Sequence, residues 1–177
     1  GGGILSEALT QRGAQVTGID MGDAPLGVAE LHALENNLTI EYKKITAEEI
    51  AAERPGQYDV VTCLEMLEHV PDPAAIVQAC ADLCKPGGHL YFATINRNPK
   101  SYLFAILGAE HILRLLPKGT HDYEKLIKPS ELYCWMRESN LILNDSTGMT
   151  YNPLSKKYKL HPTNLDVNYL LHATKPA

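Results

Sequence analysis

The feature that most constrains this chain is a repeated change of apolar period, from helical spacing to short β-branched runs and back, through its first 95 residues. Alternation of that kind builds βαβ units, whose strands lie parallel in a sheet covered by helices. Ile4, Leu5, Ala8 and Leu9 share one face of a helix predicted over residues 3–12, with Gly13 as its stop. Residues 14–20 read as a short buried strand ending in Asp20. Residues 25–38 read as a helix striped with Leu26, Ala29, Leu31, Ala33 and Leu34. A strand over 39–45 and a short helix over 47–53 follow, ended by Pro55-Gly56. Tyr58-Asp59-Val60-Val61-Thr62-Cys63-Leu64 is the clearest central strand. Pro71-Asp72-Pro73 opens a helix through Leu83, Lys85-Pro86-Gly87-Gly88 stops it, and residues 89–95 return to strand.

Past Asn98 the pattern loosens. Residues 102–116 read as a long apolar helix with little polar face, and residues 118–128 as a charged loop, so an insertion is expected here. Pro129 starts a last helix to about residue 140, and residues 141–149 and 167–174 supply two closing strands. The expected class is therefore α/β. It has a mostly parallel seven-stranded sheet with helices on both faces and an antiparallel closing hairpin. The first strand is expected to be missing, because a glycine run leading straight into a helix normally follows a strand. One domain is expected over 1–177, divided into a core (1–95), a lid or insertion (96–128) and a closing helix and strands (129–177).

Composition narrows the function. The 177 residues, 45% of them hydrophobic, suffice for one cored domain. A formal net charge of −5, with Lys and Arg spread along the chain, gives no basic concentration for a phosphate backbone, so no nucleic-acid partner is expected. Cys63, Cys80, Cys84 and Cys134 form no Cys-x-x-Cys pair, which fits free thiols in a reducing cytoplasm. No uncharged apolar run approaches the roughly 20 residues that cross a bilayer.

Gly1-Gly2-Gly3 before a helix lets backbone amides approach a ligand, and Asp20 at the end of the next strand can accept hydrogen bonds from ribose hydroxyls. This is a nucleoside-binding arrangement shared by several enzyme classes, dinucleotide enzymes included. The order Tyr58-Asp59-Val60-Val61, Leu64-Glu65-Met66-Leu67-Glu68-His69-Val70, Leu83-Cys84-Lys85-Pro86-Gly87-Gly88 and Leu90-Tyr91-Phe92-Ala93 resembles the Rossmann-like class I methyltransferase core. Asn96-Arg97-Asn98, Pro117-Lys118-Gly119-Thr120-His121-Asp122, Ile127-Lys128-Pro129-Ser130-Glu131-Leu132 and Asp166-Val167-Asn168-Tyr169 extend the likeness to the ubiquinone-biosynthesis O-methyltransferase family. The resemblance implies S-adenosylmethionine as cofactor and a polyprenylated catechol or demethylubiquinol as acceptor, with Gly1, Asp20, Met21 and Leu64 at the cofactor. It also implies work beside other ubiquinone-biosynthesis proteins. Another small-molecule acceptor, and a non-catalytic membrane-associated scaffold of the same fold, are the alternatives.

Methyl transfer from a sulfonium to a phenol is an in-line displacement that needs alignment and a nucleophilic oxygen. Glu65, Glu68 and His69 fall at i, i+3 and i+4, which on a helical turn puts them on one face beyond the central strand. Two carboxylates and an imidazole suit Mg²⁺ with positions left for catechol oxygens; the bland reading is capping acids and a packed His69. His69 and His121 are the candidate bases, and Asp122 beside His121 could orient it, unless His121 is an ordinary surface residue. The apolar helix over 102–116 is either core or an interfacial element, with Lys100, Arg114 and Lys118 near anionic headgroups on the inner face of the membrane.

Overall fold

The computed structural model describes residues 1–101, 123–152 and 155–177. The helix expected over 102–116, most of the charged loop, and with them His121, Arg114 and Lys118, lie outside the described residues. The chain divides into two compact units, Gly1–Glu53 and Arg54–Ala177.

The first unit runs α1 (Ile4–Thr10), β1 (Thr17–Asp20), α2 (Asp23–Glu35), β2 (Glu41–Lys44) and α3 (Ala47–Glu53). β1 and β2 pair in parallel, Thr17 with Glu41 through Asp20 with Lys44. Helix α2 starts two residues before Pro25 and buries Leu26, Ala29 and Ala33, the i, i+3, i+7 subset of the expected stripe. Leu31 and Leu34 are exposed instead. Helix α3 opens with a capping box: the Thr46 N–H donates to Glu49 Oε2 at 2.9 Å and the Glu49 N–H to Thr46 Oγ1 at 3.2 Å. The apolar stripe of α1 is not buried, Ile4 standing 79% exposed.

The second unit runs β3 (Tyr58–Leu64), a 3₁₀ turn (Leu67–His69), α4 (Pro73–Leu83), β4 (Cys84–Ile95), α5 (Pro99–Ser101), a 3₁₀ turn (Tyr123–Lys125), α6 (Pro129–Glu138), β5 (Ile142–Asn152), β6 (Lys157–His161) and β7 (Asn168–Thr174). Its sheet has the order β3-β4-β7-β5-β6. β3 and β4 are parallel, and the other neighbours antiparallel. Asp72 caps α4 through the Ala75 N–H at 3.1 Å and Pro73 occupies its first turn, as the Pro-Asp-Pro sequence implies. α4 packs on β3 and β4, α6 on β5, and the two helices on each other. Phe92, Leu90, Leu132, Met136, Leu171 and Tyr169 fill the core there.

Two departures from the sequence reading have local causes. Tyr58 pairs with Cys84 but Val60 with His89, so Lys85 to Gly88 bulge out of a strand that already begins at Cys84. Gly87 has φ 75°, and a Cβ on Gly88 would stand 2.9 Å from the Asp59 carbonyl oxygen, so both glycines serve the bulge and do not end strand structure. Strand β6 was not expected, and it makes antiparallel pairs more numerous than parallel ones among the described residues. Its five residues alternate polar and apolar, a period too short to stand out beside Pro153 and Pro162.

Candidate functional site

In the first unit, the carboxyl end of β1 delivers Asp20 to the glycine turn. Asp20 Oδ2 lies 2.5 Å from the Gly1 nitrogen, and Oδ1 accepts the Gly22 N–H at 2.8 Å. Burial works to raise the Asp20 pKa, and the hydrogen bonds it accepts from the Gly22 and Met21 N–H groups work to lower it. An ionised acid fixed by backbone donors is suited to accept from a pair of sugar hydroxyls. Gly3 has φ 86°, and a Cβ there would meet Ala29 Cβ at 2.9 Å, so the turn requires glycine where it enters α1. Met21, next to Asp20, is 57% exposed.

In the second unit, β3 and β4 end side by side, Leu64 opposite Ala93. Leu64 is partly exposed at that end. The Glu65 N–H extends the ladder to the Ala93 carbonyl at 2.8 Å, and Glu65 then takes φ 52°, a left-handed conformation that a side chain rarely adopts. The chain enters the 3₁₀ turn only at Leu67. The placing of Glu65, Glu68 and His69 on one helical turn is therefore corrected, because Glu65 belongs to the strand exit and only Glu68 and His69 to the turn. Among the described residues no group of three His, Cys, Asp or Glu could hold a metal ion, so the three do not fit the Mg²⁺ site expected of them.

What the strand exit does assemble is an acidic corner. Glu68 is 3% exposed; its Oε2 accepts from Thr94 Oγ1 at 2.7 Å, and among the described residues its Oε1 is buried without a hydrogen-bond partner. The Glu65 carboxyl is pushed up to about 7, first by lost hydration and second by the Glu68 charge. Tyr169, fully buried, donates its hydroxyl to the Ile127 carbonyl at 2.9 Å. Burial, and then Glu131, Glu68 and Glu65, raise its pKa, so it stays a neutral donor. Glu131 itself accepts the Arg97 guanidinium and the Lys128 N–H.

The short motifs of the second half meet at the same end of the sheet. Asn96 Nδ2 donates to the Leu165 carbonyl at 2.9 Å, Asn98 Nδ2 to the Asp166 carbonyl at 2.6 Å, and Lys100 pairs with Asp166 at 2.6 Å. They fasten the start of β7 to the loop after β4. The sequence reading missed Thr94 and Tyr169 as partners of this corner. The available signal was weak: a buried threonine late in β4, and a tyrosine in the Asp166-Val167-Asn168-Tyr169 motif.

Comparison with known proteins fits this layout. The methyltransferase domain family matches residues 1–143. The ubiquinone biosynthesis O-methyltransferase of Saccharophagus degradans is 65% identical over 99% of this chain and 74% of its own length. That of Pseudomonas aeruginosa is 62% identical over 100% of this chain and 76% of its own. Among solved structures, a SAM-dependent methyltransferase of Methanosarcina mazei superposes with a TM-score of 0.73 at 21% identity, over 99% of this chain and 89% of that one. Magnesium protoporphyrin IX methyltransferase of Synechocystis, with bound SAH, reaches 0.67 at 21% identity over 97% of this chain and 68% of that one.

Proposed function

Because the chain belongs to the ubiquinone biosynthesis O-methyltransferase family, we propose that it methylates a catechol-type hydroxyl on a polyprenylated, demethylubiquinol-like ring, using S-adenosylmethionine. The fold is the Rossmann-like class I methyltransferase fold, and the protein is an O-methyltransferase. One methyltransferase domain over 1–177 is part of the reading.

The carrying observation is Asp20, an acid fixed at a strand end by the Gly22 N–H, beside a turn whose left-handed Gly3 leaves no room for a Cβ. Asp20 would hold the ribose hydroxyls of the cofactor, the Gly1 region would admit it to backbone distance, and Met21 would line an apolar surface of it; Leu64, in the second unit, is a cofactor residue by the resemblance alone. When bound, the cofactor supplies a methyl group activated on sulfur. The acceptor side needs a group that takes the phenolic proton, since a phenol of pKa near 10 is a poor nucleophile at neutral pH. His69 is proposed for that role in the described residues; His121, outside them, remains the alternative base on the sequence reading, with Asp122 beside it to orient it. Mg²⁺ is given no step.

Reading the acceptor as polyprenylated places the enzyme in the cytoplasm, peripheral on the inner face of the membrane, next to other ubiquinone-biosynthesis proteins. Contact through residues 100–118 belongs to this proposal; among the described residues no helix is long and apolar enough to span a bilayer. The test is calorimetric titration of S-adenosylhomocysteine, together with methyl transfer to a short-chain catechol. Saturable binding that weakens roughly 10- to 100-fold in Asp20→Asn, the loss expected when a charge-assisted bond pair is cut, supports the reading. Unchanged binding in Asp20→Asn would remove Asp20 from the cofactor site. Absence of transfer to any catechol would favour the scaffold alternative.

A further inference from the structure

The register of the second unit carries an observation that the reaction does not use. β4 ends at Ile95, paired with Asn168 of β7, and Asn168 pairs in turn with Met149 of β5. Strand β5 continues past that level to Asn152 and returns as β6, with Thr150 opposite Lys159, Tyr151 opposite Tyr158 and Asn152 opposite Lys157. The outer three pairs of the hairpin therefore project about 10 Å beyond the end of the sheet, at about 3.4 Å per residue. They do so at the end where β3 and β4 deliver Leu64, Glu65 and Glu68.

This projection is amphipathic in both senses. Tyr151, Tyr158 and Leu160 are 43%, 68% and 60% exposed, and the two tyrosine rings meet across the strands at 4.8 Å. By strand alternation they lie on one face of the hairpin, and Lys157 and Lys159 on the other. Lys156 joins them at the turn with φ 52°. None of the three lysines makes an ion pair among the described residues. No Asp or Glu occurs between Asp145 and Asp166, so a local charge of +3 stands in a chain of net −5. Tyrosines and a leucine on one face, with lysines whose long stems let their ammonium groups reach lipid phosphates beside it, match the chemistry of an anionic bilayer surface.

We propose that the β5–β6 hairpin is a docking element for an anionic bilayer surface, holding the carboxyl end of the β3–β4 pair toward the lipid. The assignment to a bilayer rests on the polyprenylated acceptor proposed above, because such an acceptor resides in the membrane. It is separate from residues 100–118, which contribute nothing to the observation.

The experiment is co-sedimentation of the whole chain with vesicles of phosphatidylethanolamine and phosphatidylglycerol, and with phosphatidylcholine vesicles. The variants are Lys156→Ser/Lys157→Ser/Lys159→Ser, Tyr158→Ser/Leu160→Ser, and a triple Lys→Arg control. All change exposed side chains, and thermal melting verifies their folding. Retention by the anionic vesicles that falls roughly a hundredfold in the triple serine variant, returns with arginine and weakens with salt supports the proposal. Retention untouched by both serine variants overturns it, as does equal retention by phosphatidylcholine. Capture by a heparin matrix without capture by vesicles would assign the patch to a soluble polyanion and also overturn it. Turnover of a tail-less catechol without vesicles is measured in parallel. Loss of that turnover with vesicle binding intact counts against the proposed function and not against the docking surface.

Discussion

Glu65 sits in a conformation and an electrostatic setting that both work against the fold. Its φ of 52° is strained for a side chain, and its carboxyl is raised from 4.5 to about 7 by lost hydration and by Glu68. A carboxylic acid raised in the folded state binds its proton more tightly there than in the unfolded chain. Stability is therefore lost as pH climbs from about 4.5 to about 7, and the penalty is complete above that range. Glu65→Gln removes it, so the melting temperature of the variant is expected to pull ahead of the parent across that window and to match it at pH 4. Because more than a third of the residue is exposed even so, solvent screening limits the gain to about 1 kcal/mol. A gap independent of pH would show that the Glu65 environment is not what raises the carboxyl. Thr94 poses the complementary case. It gives Glu68 its one hydrogen bond among the described residues, inside the core. Thr94→Val keeps the shape and strands a buried carboxylate, at an expected cost of about 1–3 kcal/mol in denaturant unfolding. Thr94→Ser should recover most of it, and a valine variant as stable as the parent would mean that Glu68 finds another donor.

At the scale of elements, the hairpin and the helices place opposite demands on glycine. Gly148 lies in β5 between Tyr169 and His161, and a Cβ there would fall 1.5 Å from the Asn164 carbonyl oxygen. Gly148→Ala must push the loop before β7 away, costing about 1–3 kcal/mol by overpacking. Gly27 in α2 meets nothing within 4 Å. Gly27→Ala is expected to add about 0.5–1 kcal/mol from helix propensity, and urea unfolding of the two variants should move in opposite directions. The same elements show how far the sequence can be read. Strands β1 and β3 and helices α2, α3, α4 and α6 were legible because each has a clean period and a physical start signal, such as Asp72 before Pro73. The bulge at Lys85 to Gly88 and strand β6 were not, since both depend on a partner strand far along the chain. Asp20 was legible as the acid ending a strand. The helical face of Glu65, Glu68 and His69 was not, because spacing in sequence says nothing of the left-handed residue that separates the first from the other two. The hydroxyl of Thr94 reaches Glu68 across 26 residues, a pairing that no local pattern reports.

Across the whole molecule the core is unevenly shared. Among the described residues, all of the largest fully buried side chains, from Tyr169, Phe92 and Leu67 to Val77 and Cys84, belong to the unit Arg54–Ala177. The unit Gly1–Glu53 holds a two-stranded sheet and buries smaller residues such as Ala29, Ala33 and Ile50. A two-stranded sheet is marginal without further packing, and local opening free energies follow the apolar contacts that hold an element closed. Amides of β1 and β2 are therefore expected to exchange with solvent through openings of lower free energy than those of β4 and β7. The weaker unit is also the one that carries Asp20 and the glycine turn. Binding linked to the closed form stabilises it by RT ln(1 + [L]/Kd), so S-adenosylhomocysteine at about 100 times its Kd should protect β1 by up to about 2.7 kcal/mol. Native-state hydrogen exchange with and without that ligand measures both quantities. Slower exchange in β1 than in β4 without ligand would contradict the uneven core, and ligand protection confined to β4 and β7 would move the cofactor away from Asp20.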